Sequence, residues 1–256
     1  MRRHGADGPQ TGMSRLVTPS NRPVGVGSDL AAVHEAIVSC ERCPRLRAYC
    51  RQVGLDKRRA YRADTYWARP VPGFGDPLAR LLIVGLAPAA HGANRTGRVF
   101  TGDGVGASGD FLMGAMHRAG FSNLATSERP DDGLVLRDAF IVAAVRCAPP
   151  DNKPTPEEIA ACLPHLRAEV AALPRIKVVM ALGKIGFDAW LRLVKDDGML
   201  PKPRPVFEHG GQTMLPDGRV LLGCYHPSRQ NTHTGKLTPR MMDDVFRAAR
   251  RILDRT

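Results

Sequence analysis

Four short apolar runs, at 80–85, 139–145, 176–182 and 219–224, alternate with segments of helical periodicity, and this alternation restricts the fold more than any other property of the chain. The runs are continuous rather than every-second-residue apolar, as in strands buried on both faces of a parallel sheet. Helices are predicted after them, from Ser108 to Ala119, Thr155 to Ala172, Ile185 to Val194 and Pro239 to Leu253. Gly120 suits a C-cap, and Pro156 suits a first helical position. Such alternation implies a four-stranded parallel sheet with helices on both faces, joined by right-handed crossovers. All four strand ends then emerge at one edge, where ligands bind in open sheets of this kind. The loops expected to meet there are Gly85 to Asp103, Arg146 to Asn152, Gly183-Lys184 and His226 to Asn231.

Residues 1–28 are rich in Gly, Pro, Arg and Ser without periodicity and read as a flexible leader. Residues 29–256 read as one domain, since no composition break divides them. Leu30, Val33, His34, Ile37 and Val38 carry helical spacing, predicting a helix from Leu30 to Ala48 with Asp29 as N-cap and a stop or kink at Pro44. Residues 51–79 form a long connection of the kind that carries function or packs as an ordered loop. Residues 196–216 read as a loop or a small extra hairpin. No apolar run is long enough to span a bilayer, and the N-terminus lacks the apolar stretch of a secretory signal, so a soluble, cytoplasmic chain is expected.

The first of the converging loops, LLIVGLAPAAHGANRTGRVFTGD from Leu81 to Asp103, carries His91, Asn94, Arg95, Arg98, Phe100 and Asp103. It holds no GxGxxG and no GxxxxGK[ST], so nothing marks a phosphate loop. Phe100 is suited either to stack on a planar ligand or to anchor the loop in the core. Asp103, between Gly102 and Gly104, suits a catalytic carboxylate or a helix cap. His91 and Asn94 fit bonds to loop backbone. His226, stiffened by Pro227 at a strand end, is placed to donate to a ligand or shuttle a proton. Asn152 offers the donor and acceptor that read a base edge, or an Asx turn before Lys153-Pro154.

Lys plus Arg number 37 against 25 Asp plus Glu, a formal net charge of +12 that favours a polyanionic partner. The basic residues cluster at Lys57 to Arg62, Arg95 and Arg98, Lys202 and Arg204, and Arg240 to Arg255. Six cysteines without an export signal argue against a disulfide framework. Cys40 and Cys43 form a CxxC pair; with Cys147 and Cys162 they suit structural zinc or a [4Fe-4S] cluster, and spacing alone does not separate the two. Cys224 and Cys50 read as buried thiols.

GLAPAAHGANRTGRVFTGD (85–103) together with HPSRQN (226–231) resembles the uracil-DNA glycosylase superfamily, and within it family 5. The cysteines at 40, 43, 147 and 162 match the iron–sulfur ligands of families 4 and 5, and PVPGFGDP and RCAPPDNKPTPEE also fit. The resemblance implies a three-layer α/β/α sandwich. It implies a monomer that binds double-stranded DNA, extrudes a damaged base and hydrolyses its N-glycosidic bond, acting on uracil and other lesions. By that resemblance Asp103 and His226 are catalytic. Phe100 stacks on the base, Asn152 contacts it, and Gly85, Ala87 and His91 belong to the base pocket. Arg229, Gln230 and Lys236 engage DNA, and the four cysteines hold a [4Fe-4S] cluster. Ala87 stands where the best-known members of the superfamily have a water-activating carboxylate, which shifts weight onto Asp103. A catalytically silent damaged-DNA or nucleic-acid binding protein is the rival expectation. A small-molecule enzyme using a nucleotide is the third, opposed by the missing phosphate loop.

Overall fold

The computed structural model describes residue 1, residues 26–104 and residues 106–255. Most of the expected leader, residues 2–25, lies outside the described residues. The first helix, α1, runs Val26–Val38, so it begins inside the segment expected to be leader. The expected single helix from Leu30 to Ala48 is two: after a short link that contains Cys40 and Cys43, α2 runs Pro44–Asp56. Pro44 does not end a helix; it begins one, because its missing N–H is no loss in the first turn.

The sheet has six strands rather than four. In chain order they are β1 (Phe74–Gly75), β2 (Leu81–Gly85), β3 (Ala139–Ala143), β4 (Val178–Leu182), β5 (Gln212–Met214) and β6 (Val220–Cys224). Their spatial order is β1-β3-β2-β4-β6-β5. The inner four are parallel, as the apolar runs require, and every residue in them is buried. The two additional strands are short antiparallel edges. PVPGFGDP supplies β1 through Phe74 and Gly75, and the Gly- and Pro-rich stretch before β6 supplies β5. Neither is long or apolar enough to announce itself as a strand.

The remaining helices are α3 (Ala93–Thr96), α4 (Ser108–Arg118), α5 (Pro156–Ala171), α6 (Gly183–Asp196), α7 (Arg229–His233) and α8 (Pro239–Leu253). Alternate residues of each inner strand feed two cores. Leu81, Ile83, Ile141, Met180 and Leu222 pack with Leu112 and Met116 of α4 and Phe246 of α8. Leu82, Val84, Phe140, Val179 and Leu221 pack with Leu166 of α5 and Trp190 and Leu191 of α6. Burial on both faces explains why the strands show no polar alternation. At about 25 cal/mol per Å² this apolar burial is the main favourable term holding the layers together.

Thr155 opens α5 with a reciprocal capping box: its hydroxyl accepts from Glu158 N–H, and the Glu158 carboxylate accepts from Thr155 N–H. Glu158 also pairs with Arg45 of α2 at 2.7 Å, so the cap ties the N-terminal helices to the sandwich. A third small cluster, Leu46, Cys50, Val145, Cys147, Ala148 and Cys162, sits at that junction. Among the described residues no helix is long and apolar enough to cross a membrane.

Candidate active site at the strand ends

A cavity of about 710 Å³ opens where β2, β3 and β6 end. The backbone from Leu86 to Ala93 forms one wall, and Phe100, Asp103, Asn152, His226 and Arg229 complete it. Three of the four loops expected to converge therefore do so; Gly183-Lys184 is not part of the lining. Ala87 and His91 also line the cavity. Gly85 does not: it lies beneath Phe100, where a Cβ would meet the ring's Cε2 at 3.0 Å. Its role is to let the aromatic settle onto the strand end. Gln230 and Lys236 are outside the lining as well; Gln230 is exposed on α7, and Lys236 Nζ sits 5.2 Å from the Tyr225 ring centroid. Lys184 pairs with Asp188 instead of facing the cavity.

Phe100 adopts φ +52°, a conformation that costs a non-glycine residue about 1 kcal/mol. Its ring is 6.0 Å from that of His226, with 31° between the planes. Gly109 makes the conformation possible from below, since a Cβ there would stand 2.4 Å from the Phe100 carbonyl oxygen. Gly183 similarly makes room for His226, with a Cβ placed 3.2 Å from the histidine Cβ. The loop after His226 is held by Asn231, whose Nδ2 donates to the His226 carbonyl at 2.8 Å, and by Ser228, which caps α7. Burial pushes the His226 imidazole down to about 4, so it is neutral at neutral pH.

Asp103 lies against the Gly92 backbone, and its Oδ1 is buried without a hydrogen-bond partner in the protein. Burial raises its pKa to about 6; Arg229 opposes that shift, Asp110 adds to it, and Arg95 opposes it. The carboxyl group therefore titrates in a range where it can take a proton near neutrality. Asn152 stands at the rim with φ +56°, next to Asp151 at +52°. The alternative Asx turn is not formed: Pro149 O accepts from the Asn152 backbone N–H, and the side-chain amide is exposed.

Arg95 and Arg98, which composition counts with the basic clusters, are spent inside the first loop. Arg95 donates to the carbonyls of His91 and Gly102, pairs with Asp64 at 2.5 Å and stacks on Tyr61. Buried Arg98 pairs with Asp132 at 2.6 Å and donates to Thr101 and Ser127. The two guanidinium groups brace the turn that presents Phe100 and Asp103. Asn94 is likewise internal, donating to Cys50 O and Ala90 O. Tyr49, Arg58 and Tyr61 line the cavity and were not singled out by sequence. For Arg58 and Tyr61 the available signal was the length of the 51–79 connection, which says that a segment matters without saying which side chains face inward; Tyr49, on α2, lies outside it.

Cys40, Cys43, Cys147 and Cys162 surround one small cavity with Arg42, Arg146 and His165. Burial raises the Cys43 thiol, and it lifts that of Cys162 to about 11. The Arg146 backbone N–H donates to Cys162 Sγ at 3.3 Å. The described residues contain no group of three or more His, Cys, Asp or Glu side chains placed to hold a metal ion. Cys224 is a buried strand thiol, and Cys50, also buried, donates to Ala148 O.

Residues 72–250 match the family model described as the uracil DNA glycosylase superfamily. The chain is 49% identical over 224 residues to a type-5 uracil-DNA glycosylase of Thermus thermophilus, covering 88% of this chain and 98% of that one. It is 49% identical over 229 residues to a type-5 uracil-DNA glycosylase of Mycobacterium tuberculosis, covering 89% of this chain and 83% of that one. A type-5 uracil-DNA glycosylase of Pyrobaculum aerophilum is 42% identical over 231 residues, covering 86% of this chain and 96% of that one. With the two motifs folded around one cavity and this similarity spanning most of its length, the chain belongs to the uracil-DNA glycosylase superfamily, in its type-5 branch.

Proposed function

We propose that the protein is a DNA repair glycosylase that hydrolyses the N-glycosidic bond of uracil, and of other damaged bases, in double-stranded DNA. The observation that carries this reading is the gathering of Phe100, Asp103 and His226 around a single cavity. A base inside a duplex cannot reach such a cavity, so the target nucleotide leaves the stack and enters it. Phe100 offers the ring face and Asn152 the free amide for the base's edge. As the bond breaks, charge develops in opposite senses on base and sugar. The neutral His226 donates to the leaving base, and the ionised Asp103 supports the cationic sugar and accepts the proton of the attacking water. Arg58 and Arg229 at the cavity mouth meet phosphate, drawing on the basic charge of the whole chain. A monomer suffices, because every group invoked comes from one chain.

We further propose that Cys40, Cys43, Cys147 and Cys162 hold a [4Fe-4S] cluster. The donor set fits: four thiols share one cavity with the buried guanidinium of Arg146, which pairs with Glu169 at 2.6 Å through Nη1. The four cysteines would bind an iron–sulfur core as thiolates, and the neighbouring guanidinium would offset the net negative charge of the ligated whole. The chemistry supplied there is structural cross-linking of the α1–α2 link, the end of β3 and α5.

The reading is tested by incubating the protein with duplexes carrying one uracil, or one of a panel of other damaged bases, followed by alkali. Strand scission at the lesion is expected with the wild type and is lost with Asp103→Ala. An intact uracil strand at enzyme excess overturns it. Binding that Asp103→Ala and His226→Ala leave unchanged, with no scission, favours a silent binding protein.

A further inference from the structure

His91 lines the cavity, but neither catalytic role above uses it. Its ring is engaged on one side only: Tyr66 Oη lies 3.1 Å from Nδ1, and the two rings meet edge-on. Which of the two groups donates follows from the neighbours of the phenol. Tyr66 is buried, and its oxygen already accepts from the Arg58 backbone N–H at 3.4 Å. Were Nδ1–H also to donate to it, the phenol hydrogen would have no acceptor in a buried place, at a cost of about 1–3 kcal/mol. The phenol therefore donates to Nδ1, and a neutral His91 carries its hydrogen on Nε2. Burial, with Arg58 and then Arg95 nearby, lowers the His91 pKa and keeps the ring neutral. Nε2 has no partner among the described residues.

Asp103 reaches the same stretch of wall: its Oδ1 is buried where a Cβ on Gly92, the residue after His91, would be, and the half-buried carboxyl group lines the cavity. One donor and one acceptor thus line the cavity on either side of Gly92. A water held there would accept from His91 Nε2–H, donate to Asp103 and keep one lone pair for attack.

We infer that Tyr66 is a positioning residue that fixes the His91 tautomer, and that His91 holds the attacking water against Asp103. This supplies a water-binding arrangement at a site where the chain has Ala87 instead of a carboxylate. The inference rests on the glycosylase reading. In the step itself the water oxygen bonds to the sugar C1′, and the glycosidic bond breaks with its electron pair passing to the base. The water's proton goes to Asp103. The sugar is left as an abasic site, and the base departs as an anion stabilised by His226.

The test is single-turnover excision of uracil by the full chain, with affinity measured separately on a duplex bearing a 2′-fluorinated, cleavage-resistant deoxyuridine. His91→Ala is expected to slow excision about 100-fold while changing that affinity less than about threefold. His91→Gln, which returns an N–H donor but has no tautomer to set, should recover to within about tenfold of wild type. Tyr66→Phe should slow the wild-type background about tenfold and the His91→Gln background hardly at all. Melting curves check that each variant folds. Excision by His91→Ala within about threefold of wild type overturns the inference, as does an equal cost of Tyr66→Phe in both backgrounds. If the wild type leaves uracil in place, the glycosylase reading itself falls and takes the inference with it.

Discussion

A methyl group on Gly92 would stand 1.6 Å from Oδ1 of Asp103, well inside any permitted contact. The backbone of one motif residue is thus the floor on which the carboxylate of another rests. Gly92 has φ −101° and ψ −103°, so the want of a side chain, and not a left-handed turn, is what the position demands. Gly92→Ala is expected to push the carboxylate aside and cut the excision rate about 100-fold, the usual consequence of an ångström-scale misplacement. The melting temperature should move little, since Asp103 gives up no hydrogen bond at Oδ1. Rates of the variant and wild type on one uracil duplex, with a thermal melt of each, check this; equal rates would remove the carboxylate from the chemistry.

Asp103 sets the acid side of the pH profile. Its folded pKa, about 6, lies above the ordinary carboxylate value because burial disfavours the charged form. Excision should therefore rise through pH 6 as the carboxylate ionises and level off above it. His226, already neutral above about 4, contributes no limb there. The linkage sign for stability is the reverse of the usual carboxylate case. A raised pKa contributes stability that is full below the unfolded value and is lost as pH rises through the folded value. A shift of this size corresponds to about 3 kcal/mol. Asp103→Asn is thus expected to be nearly inactive yet more stable than wild type at pH 8, with the difference fading between pH 6 and 4. Denaturant titrations at those pH values read the change directly.

Arg229 and Arg58 line the cavity mouth, and both are exposed. By contrast, Arg95 and Arg98 are tied to Asp64 and Asp132. Replacing Arg229 or Arg58 by Ala should weaken duplex binding and lower the salt slope of log affinity by about one each. Removing Arg98 should instead lower the melting temperature, because Asp132, Thr101 and Ser127 all lose the buried guanidinium they share. Binding isotherms at several salt concentrations separate the two behaviours.

The four inner strands and α8 were legible because burial on both faces writes a continuous apolar run and because caps such as Thr155 and Pro156 have local signatures. The edge strand β1 was not, and β5 only as one of two alternatives, a small extra hairpin, since a strand of two or three residues is defined by its partner's backbone rather than by its own side chains. Pro44 was misread for a related reason: the same residue suits the end of one helix and the start of the next, and only the packing of Leu46 and Cys50 beneath Val145 decides it. At the site, residues on strand-end loops could be read from element order. Tyr61 and Arg58, which line the cavity, and Tyr66, which contacts His91 behind it, could not, because they come from a segment whose course depends on Arg95 and His91. Gly85 was counted with the base pocket because it sits in the motif, whereas its position serves the ring of Phe100.

The last expectation concerns Arg146 and Glu169, which meet at 2.6 Å with side chains 1% and 0% exposed. Burial would raise the Glu169 pKa, but Arg146 first, then His34 and the Gly73 backbone N–H, hold it below its ordinary value. Removing one partner leaves a buried charge uncompensated, at a cost of about 3–5 kcal/mol. Arg146→Met should therefore destabilise strongly, and adding Glu169→Gln should recover part of the loss, because the second change removes the orphaned charge. If the four cysteines carry a cluster, Arg146→Met should also lose visible absorbance and iron faster than the double variant's stability alone explains, since Arg146 lines that cavity and Glu169 does not. Cys147→Ser and Cys162→Ser should abolish the absorbance outright, while Cys224→Ala, in its strand, should retain it. Iron content, absorbance and denaturant midpoints measured on the same preparations check the set. Colourless wild-type protein without bound iron would exclude the cluster, while leaving the destabilisation by Arg146→Met standing on the buried pair alone.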